Sequence, residues 1–236
     1  MGLKSFKALL FLCLLLSCST AVRAQETTSN EFWPELDLYY NLNPDIQVLA
    51  TANERIASDS VDTSFRTGPM VLFHLPPAFN RTPSQHHEEE RRFLSLAAGY
   101  LYITPGPGGT GHVEQRGILQ FTPRLPLPKK TLLMDRNELD LRWISSAYYW
   151  RYRNQLTWQR DFSIRAHAFT AYVNGEVEYY SKYDNWYRTD YGAGARIPVG
   201  GRTELQPYYL HENTSNTQPA HTNVLGIIVS VFFHER

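Results

Sequence analysis

Polar and apolar residues alternate along most of this chain with a period of two. Over residues 150–159 the even positions Trp150, Tyr152, Asn154, Leu156 and Trp158 alternate with Arg151, Arg153, Gln155, Thr157 and Gln159. One face is mostly apolar and the other wholly polar, the repeat of a β-strand with one side against an apolar medium. Leu139, Leu141 and Trp143 alternate with Glu138, Asp140 and Arg142 in the same way. Leu36, Leu38, Tyr40 and Leu42 oppose Glu35, Asp37, Tyr39 and Asn41, and Leu205 and Tyr209 oppose Glu204, Gln206 and Tyr208. No sustained helical period is present. The longest apolar stretch after the leader, residues 224–233, is interrupted by Gly226 and Ser230 and falls far short of the roughly 20 residues of a membrane helix.

The pattern predicts strands near 32–43, 46–57, 64–75, 92–104, 113–123, 131–143, 148–160, 163–173, 175–183, 186–197, 202–212 and 222–233. Each of these 12 is near the roughly 9–11 residues that a tilted strand needs to cross a bilayer. Ten remain possible, because Gly68-Pro69 interrupts the third and proline gives no ladder donor. Asn43-Pro44-Asp45, 126–130, Asp161-Phe162-Ser163 and Val199-Gly200-Gly201 read as tight turns, and 76–91, 105–112 and 213–221 as longer polar loops. Short turns mixed with long loops are the habit of outer-membrane barrels. Leu225, Ile227, Val229, Val231 and Phe233 line one face of the last strand, although His234-Glu235-Arg236 follows where such barrels usually end on an aromatic.

The first residues carry a separate signal. Lys4 and Lys7 precede an apolar run over 8–16, and Val22-Arg23-Ala24 supplies a small-x-small cleavage site, so residues 1–24 read as a secretory signal peptide and 25–236 as the barrel domain. Leu15-Leu16-Ser17-Cys18 loosely matches a lipidation box, which would tether the chain instead. Cleavage after Ala24 removes Cys13 and Cys18, the two cysteines of the chain, leaving no disulfide, thiol nucleophile or thiolate ligand. It also takes Lys4, Lys7 and Arg23 from the 23 basic residues and leaves the 23 acidic ones, for a formal charge of −3. Nucleic acid is therefore not an expected partner. With 15 Tyr and 5 Trp, the chain has what the aromatic girdles of a membrane barrel require.

Phe32-Trp33-Pro34-Glu35-Leu36, Trp150-Arg151-Tyr152-Arg153-Asn154, Pro207-Tyr208-Tyr209 and Asn223-Val224-Leu225-Gly226 together resemble the bacterial family called domain of unknown function 2490. The resemblance spans nearly the whole chain after the leader. It implies an outer-membrane-type barrel and no catalytic residue, cofactor or substrate.

Candidate chemistry is thin. His86-His87-Glu88-Glu89-Glu90 has metal-binding residue types, but adjacent side chains do not converge on one ion, so the run reads as a solvated loop. His112, His167, His211 and His221 stand in no nucleophile motif, and Gly106-Pro107-Gly108-Gly109 lacks the Lys and Ser/Thr of a phosphate loop. Asn80-Arg81-Thr82 and Asn213-Thr214-Ser215 match a glycosylation pattern too short to mean more than polar loop. The polar face remains. In a barrel it turns Glu35, Asp37, Glu138, Asp140, Arg142, Arg151, Arg153, Glu176, Glu178 and Glu204 into the lumen, either paired across strands or lining a pore.

The expectation is an all-β chain, a single antiparallel transmembrane β-barrel of about 12 strands in the outer membrane. Its partners would be membrane lipid, lipopolysaccharide and the barrel-assembly machinery. It would be a narrow channel or a structural barrel, with no cofactor, metal or enzymatic role. Two rival readings stay open, a lipid-modifying barrel enzyme and a soluble periplasmic ligand-binding barrel.

Overall fold

The structure, a computed structural model, describes residues 28–57, 63–75, 92–106, 111–164, 167–217 and 219–233. The expected signal peptide, the 86–90 run, Asn80 and Pro107-Gly108-Gly109 lie outside the described residues. Eleven strands follow in chain order: β1 (Thr28–Asn41), β2 (Ile46–Ala57), β3 (Ser64–Leu75), β4 (Leu94–Pro105), β5 (Glu114–Leu127), β6 (Thr131–Ile144), β7 (Ala147–Ile164), β8 (His167–Tyr180), β9 (Asn185–Val199), β10 (Thr203–Thr214) and β11 (His221–Phe233). Each strand pairs antiparallel with the next, and β1 closes against β11 to complete one barrel.

The closing pair is parallel, with Thr28 opposite His221 and Tyr40 opposite Phe233. A purely antiparallel barrel is thus corrected at one seam. Antiparallel neighbours alternate in direction, so an odd number of strands brings the first and last together pointing the same way. Closure leaves no edge with unpaired backbone groups, the condition for backbone to meet lipid.

Two of the twelve expected strands, 163–173 and 175–183, are a single strand, β8. Asn174-Gly175 has turn chemistry, yet Asn174 lies opposite Thr157 on one side and Gly192 on the other, and Gly175 opposite Leu156 and Tyr191. Two flanking ladders outweigh one local signal. Asp161-Phe162-Ser163 is likewise inside β7, where Phe162 stacks on Phe169 with ring centroids 5.4 Å apart and Thr170 Oγ1 donates to Asp161 at 2.6 Å. Gly68-Pro69 stays within β3. The β3–β4 register passes from Thr67 opposite Tyr102 to Met70 opposite Gly99 without a slip, and pairing lapses only at the two intervening residues. A Cβ at position 68 would strike the Tyr100 carbonyl, so only glycine admits this approach.

The side chains divide cleanly by parity. Leu36, Leu119, Leu156, Val173 and Leu225 face outward and are exposed, Leu156 by 50% and Leu225 by 64%. Aromatics flank them: Trp143, Tyr148, Trp150 and Trp186 toward one rim, and Tyr40, Phe121, Trp158 and Phe233 toward the other. Polar residues interrupt this surface, one group of them between the tryptophans of β7. Asn154 Nδ2 donates to Asp135 at 2.6 Å and to Asn137 at 3.2 Å, and the Tyr152 hydroxyl donates to Asn137 at 2.5 Å.

Candidate functional site

The inward positions of six consecutive strands, β5 to β10, carry a continuous ion-pair belt. Asp140 on β6 sits opposite Arg151 on β7, and Glu138 opposite Arg153. Arg151 donates to Asp140 at 2.6 Å and to Glu178 on β8 at 3.1 Å. Arg153 lies 3.4 Å from Glu138 and 3.2 Å from Glu176. Glu176 also accepts from Arg136 at 2.8 Å and from Gln155 at 3.1 Å. Glu178 is completed by the Tyr187 hydroxyl at 2.9 Å and Arg188 at 3.6 Å.

At two places where register puts like charges opposite each other, a third group bridges them. Arg116 faces Arg142 across β5 and β6, and Glu114 accepts from both, each at 2.8 Å. Asp190 faces Glu212 across β9 and β10, and Arg188 pairs with both. The result joins six arginines to seven carboxylates. Asp140 is 0% exposed and Glu178 1%, so water does not reach these charges. Buried charges persist only when paired and hydrogen-bonded, which fits the density of contacts here. Carboxylate oxygens of Glu176, Glu178 and Asp190 come within 4.8 Å of one another, as metal ligands do, but arginines already occupy all three.

The other walls are less filled. A cavity of about 830 Å3 reaches the rim at Asn41, Arg92, Lys130 and Asp161 and extends inward to Trp33, Arg55, Arg66 and Arg116. Past that level on the β5–β10 side, Glu114, Asp140, Arg151, Glu178, Tyr180 and Tyr187 are all buried. The lumen is therefore a cup open toward one rim and, on its β5–β10 side, packed against the belt beyond it. Glu35 and Asp37 line the cup; Glu35 accepts from Asn53 at 3.2 Å, and Asp37 accepts from the Tyr39 hydroxyl at 3.2 Å. Glu204 lines it from β10.

Of the ten charged residues marked in the sequence, the structure gathers Glu138, Asp140, Arg142, Arg151, Arg153, Glu176 and Glu178 into the belt. Glu35, Asp37 and Glu204 lie apart from it, in the cup. Arg142 takes Glu114 on β5 as its partner; its own opposite number on β7 is Tyr149. Sequence reasoning missed Glu114, Arg116, Arg136, Arg188, Asp190 and Glu212, although all share the inward parity of their strands. It also missed Arg55, which lies over the Trp33 ring at 3.5 Å, and Arg66.

One further polar group merits chemical scrutiny. Ser95 Oγ lies 2.7 Å from His74 Nδ1 and accepts from Arg124. That resembles a serine activated by histidine, but Ser95 is buried and does not line the cavity, so His74 and Arg124 stand between its hydroxyl and any solute.

The segments quoted for the family resemblance meet at the lumen. Gly226 lies between Tyr208 on β10 and Trp33 on β1, with the Tyr208 ring over it, and Arg151 and Arg153 hold the belt. No curated protein matches the chain. A family model described as protein of unknown function (DUF2490) matches residues 30–223, a span that includes Trp33, Arg151, Arg153 and Tyr208. The chain belongs to this family, domain of unknown function 2490.

Proposed function

We propose that this protein is an integral outer-membrane β-barrel whose lumen is a one-mouthed binding cup, closed to free conduction by the ion-pair belt. The observation that carries the membrane reading is the outward surface. Trp150 and Trp158 lie eight residues apart on one face with exposed Leu156 between them. At about 3.3 Å per residue and a tilt near 40° they stand about 20 Å apart, close to the apolar band of about 25 Å between aromatic girdles. Exposed apolar surface on this scale is costly in water and favourable in lipid.

In this reading the outward face meets membrane lipid and lipopolysaccharide, and the outward apolar row of β11 is the surface offered to the barrel-assembly machinery. The reading contains no catalytic step. The Asp135–Asn137–Asn154 group favours the rival soluble periplasmic barrel, because it sets a carboxylate on the outer surface between the two tryptophans.

Extraction of membranes with alkaline carbonate separates the two: the barrel stays in the pellet until detergent is added, whereas release by carbonate defeats the membrane reading. In planar bilayers the purified protein gives no steady ohmic current. Stable single-channel steps would show that the belt does not close the lumen.

A further inference from the structure

Among the described residues, the lining of the cup carries more cations than carboxylates. With the belt's own Arg116, Arg136, Glu138 and Arg153 set aside, its lining keeps six cations, Arg55, Arg66, Arg92, Arg124, Lys130 and Arg196, against four carboxylates, Glu35, Asp37, Asp161 and Glu204. Arg92, Lys130, Arg124 and Arg196 lie toward the mouth, on or beside the turns of that rim. Arg55 and Arg66 lie at the inner end.

Those two differ from the arginines of the belt in having no carboxylate within ion-pair distance among the described residues; a buried Nε without a hydrogen-bond partner they share with Arg136 and Arg153 of the belt. Arg66 has neither a hydrogen bond nor an ion pair within 4.0 Å among the described residues, and its Nε is buried without a partner. Arg55 has the face of Trp33 and no ion pair within 4.0 Å among the described residues, and its Nε is buried and unpartnered as well. They stand on adjacent strands, with Arg66 opposite Asn53 and Arg55 opposite Ser64. Glu35 and Asp37 on β1 are near, yet neither forms an ion pair with them, being held by Asn53 and Tyr39. Both residues are only partly buried, their terminal nitrogens are open to the cavity, and a guanidinium's fork of donors matches the oxygens of a carboxylate or phosphate.

We propose that the cup binds a small oxyanion, drawn in by the cations at the mouth and held at the inner end by Arg66 and Arg55. Glu35 and Asp37 bound the seat on its β1 side, so the oxygens of the ligand are taken from the β2–β3 side. The cavity of about 830 Å3 accommodates a solute well beyond the size of a single phosphate. This inference needs the cup and not the membrane, so extraction and binding are read separately.

The test is calorimetric titration of the full-length mature barrel in detergent at low ionic strength, with three probes: pyrophosphate, citrate and glucose. Pyrophosphate or citrate binds, glucose does not, and affinity falls as salt is raised because the mouth charges are screened. Whichever oxyanion binds more tightly separates a phosphate ligand from a carboxylate one. Arg66→Gln and Arg55→Gln each weaken binding by about tenfold or more, the loss of a charge-assisted hydrogen bond. Lys182→Gln, on the β8–β9 turn at the other rim, leaves affinity unchanged. Far-ultraviolet circular dichroism of each variant shows that the barrel is intact, and two independent variants guard against one misfolding. Three results would overturn the proposal: no binding of either oxyanion, equal binding of glucose, or affinity indifferent to both substitutions.

Discussion

Arg151 and Arg66 point into the same lumen from different walls, and they make the two contrasting uses of an inward arginine. Arg151 is clamped between Asp140 and Glu178, with every surrounding charge matched by another strand. Arg66 has a cavity beside it and no carboxylate in ion-pair range among the described residues. One environment turns charge into rigidity and leaves nothing for a visitor. The other leaves donors open to the cavity, where a bound ligand would meet them. The paired charge thus lies on β5–β10 and the inner end of the proposed seat on β2 and β3, although the backbone ladder is the same throughout.

The contrast breaks most visibly at Arg151. Arg151→Ala strands two buried carboxylates, and the barrel loses about 3–5 kcal/mol, read as a lower unfolding temperature in detergent. Adding Asp140→Asn recovers part of that loss. Arg151→Lys does not restore the parent stability, because one ammonium does not replace a fork that reaches two acids.

The outer wall comes next. Leu156→Arg places a cation at the middle of the outward band and costs about 2–4 kcal/mol, measured as the fraction of protein that folds into lipid vesicles. Gln155→Leu, pointing inward beside it, leaves vesicle folding nearly at the parent level. The reverse order would invert the assignment of faces.

A smaller effect is expected at the β10–β11–β1 seam. Gly226→Ala puts a methyl group into the Tyr208 ring, and the overpacking costs about 1–3 kcal/mol by thermal unfolding. Tyr208→Ala in the same chain relieves the clash. The smallest effect is at Arg66, where Arg66→Gln changes stability by no more than about 0.5 kcal/mol in the same assay. A loss as large as that of Arg151→Ala would mean that the cup is structural after all.

What the sequence displays and what it hides follow from the range of the interactions. Period two makes the faces of β1, β6, β7 and β10 legible, since Leu156 and Gln155 differ in parity and nothing else is needed. The pairing of Glu138 and Asp140 with β7 is legible too, because a short hairpin at Ser145-Ser146 fixes that register. Arg142 is different. Its acid, Glu114, is 28 residues away on the preceding strand, and no local pattern selects it over the nearer β7. Asn174-Gly175 misleads for the complementary reason, as its turn chemistry is real and is overruled by partners supplied by β7 and β9. The parallel seam leaves no local trace, because it depends on the parity of the whole count. Arg55 and Arg66 are hidden because the absence of an acid in ion-pair range, among the described residues, is a property of the folded lumen alone.

That parity has a consequence for sidedness. A wall crossed eleven times returns its first and last strands pointing the same way, so Thr28 and Phe233 leave the barrel at opposite rims. In a membrane, the segment before β1 and the segment after β11 would face different compartments, and the cup opens on the side of Phe233. Epitope tags placed just outside the two strands would then answer differently to an antibody applied to intact cells. The tag after Phe233 marks the compartment from which the cup is filled: outside if the antibody reaches it, inside if it does not.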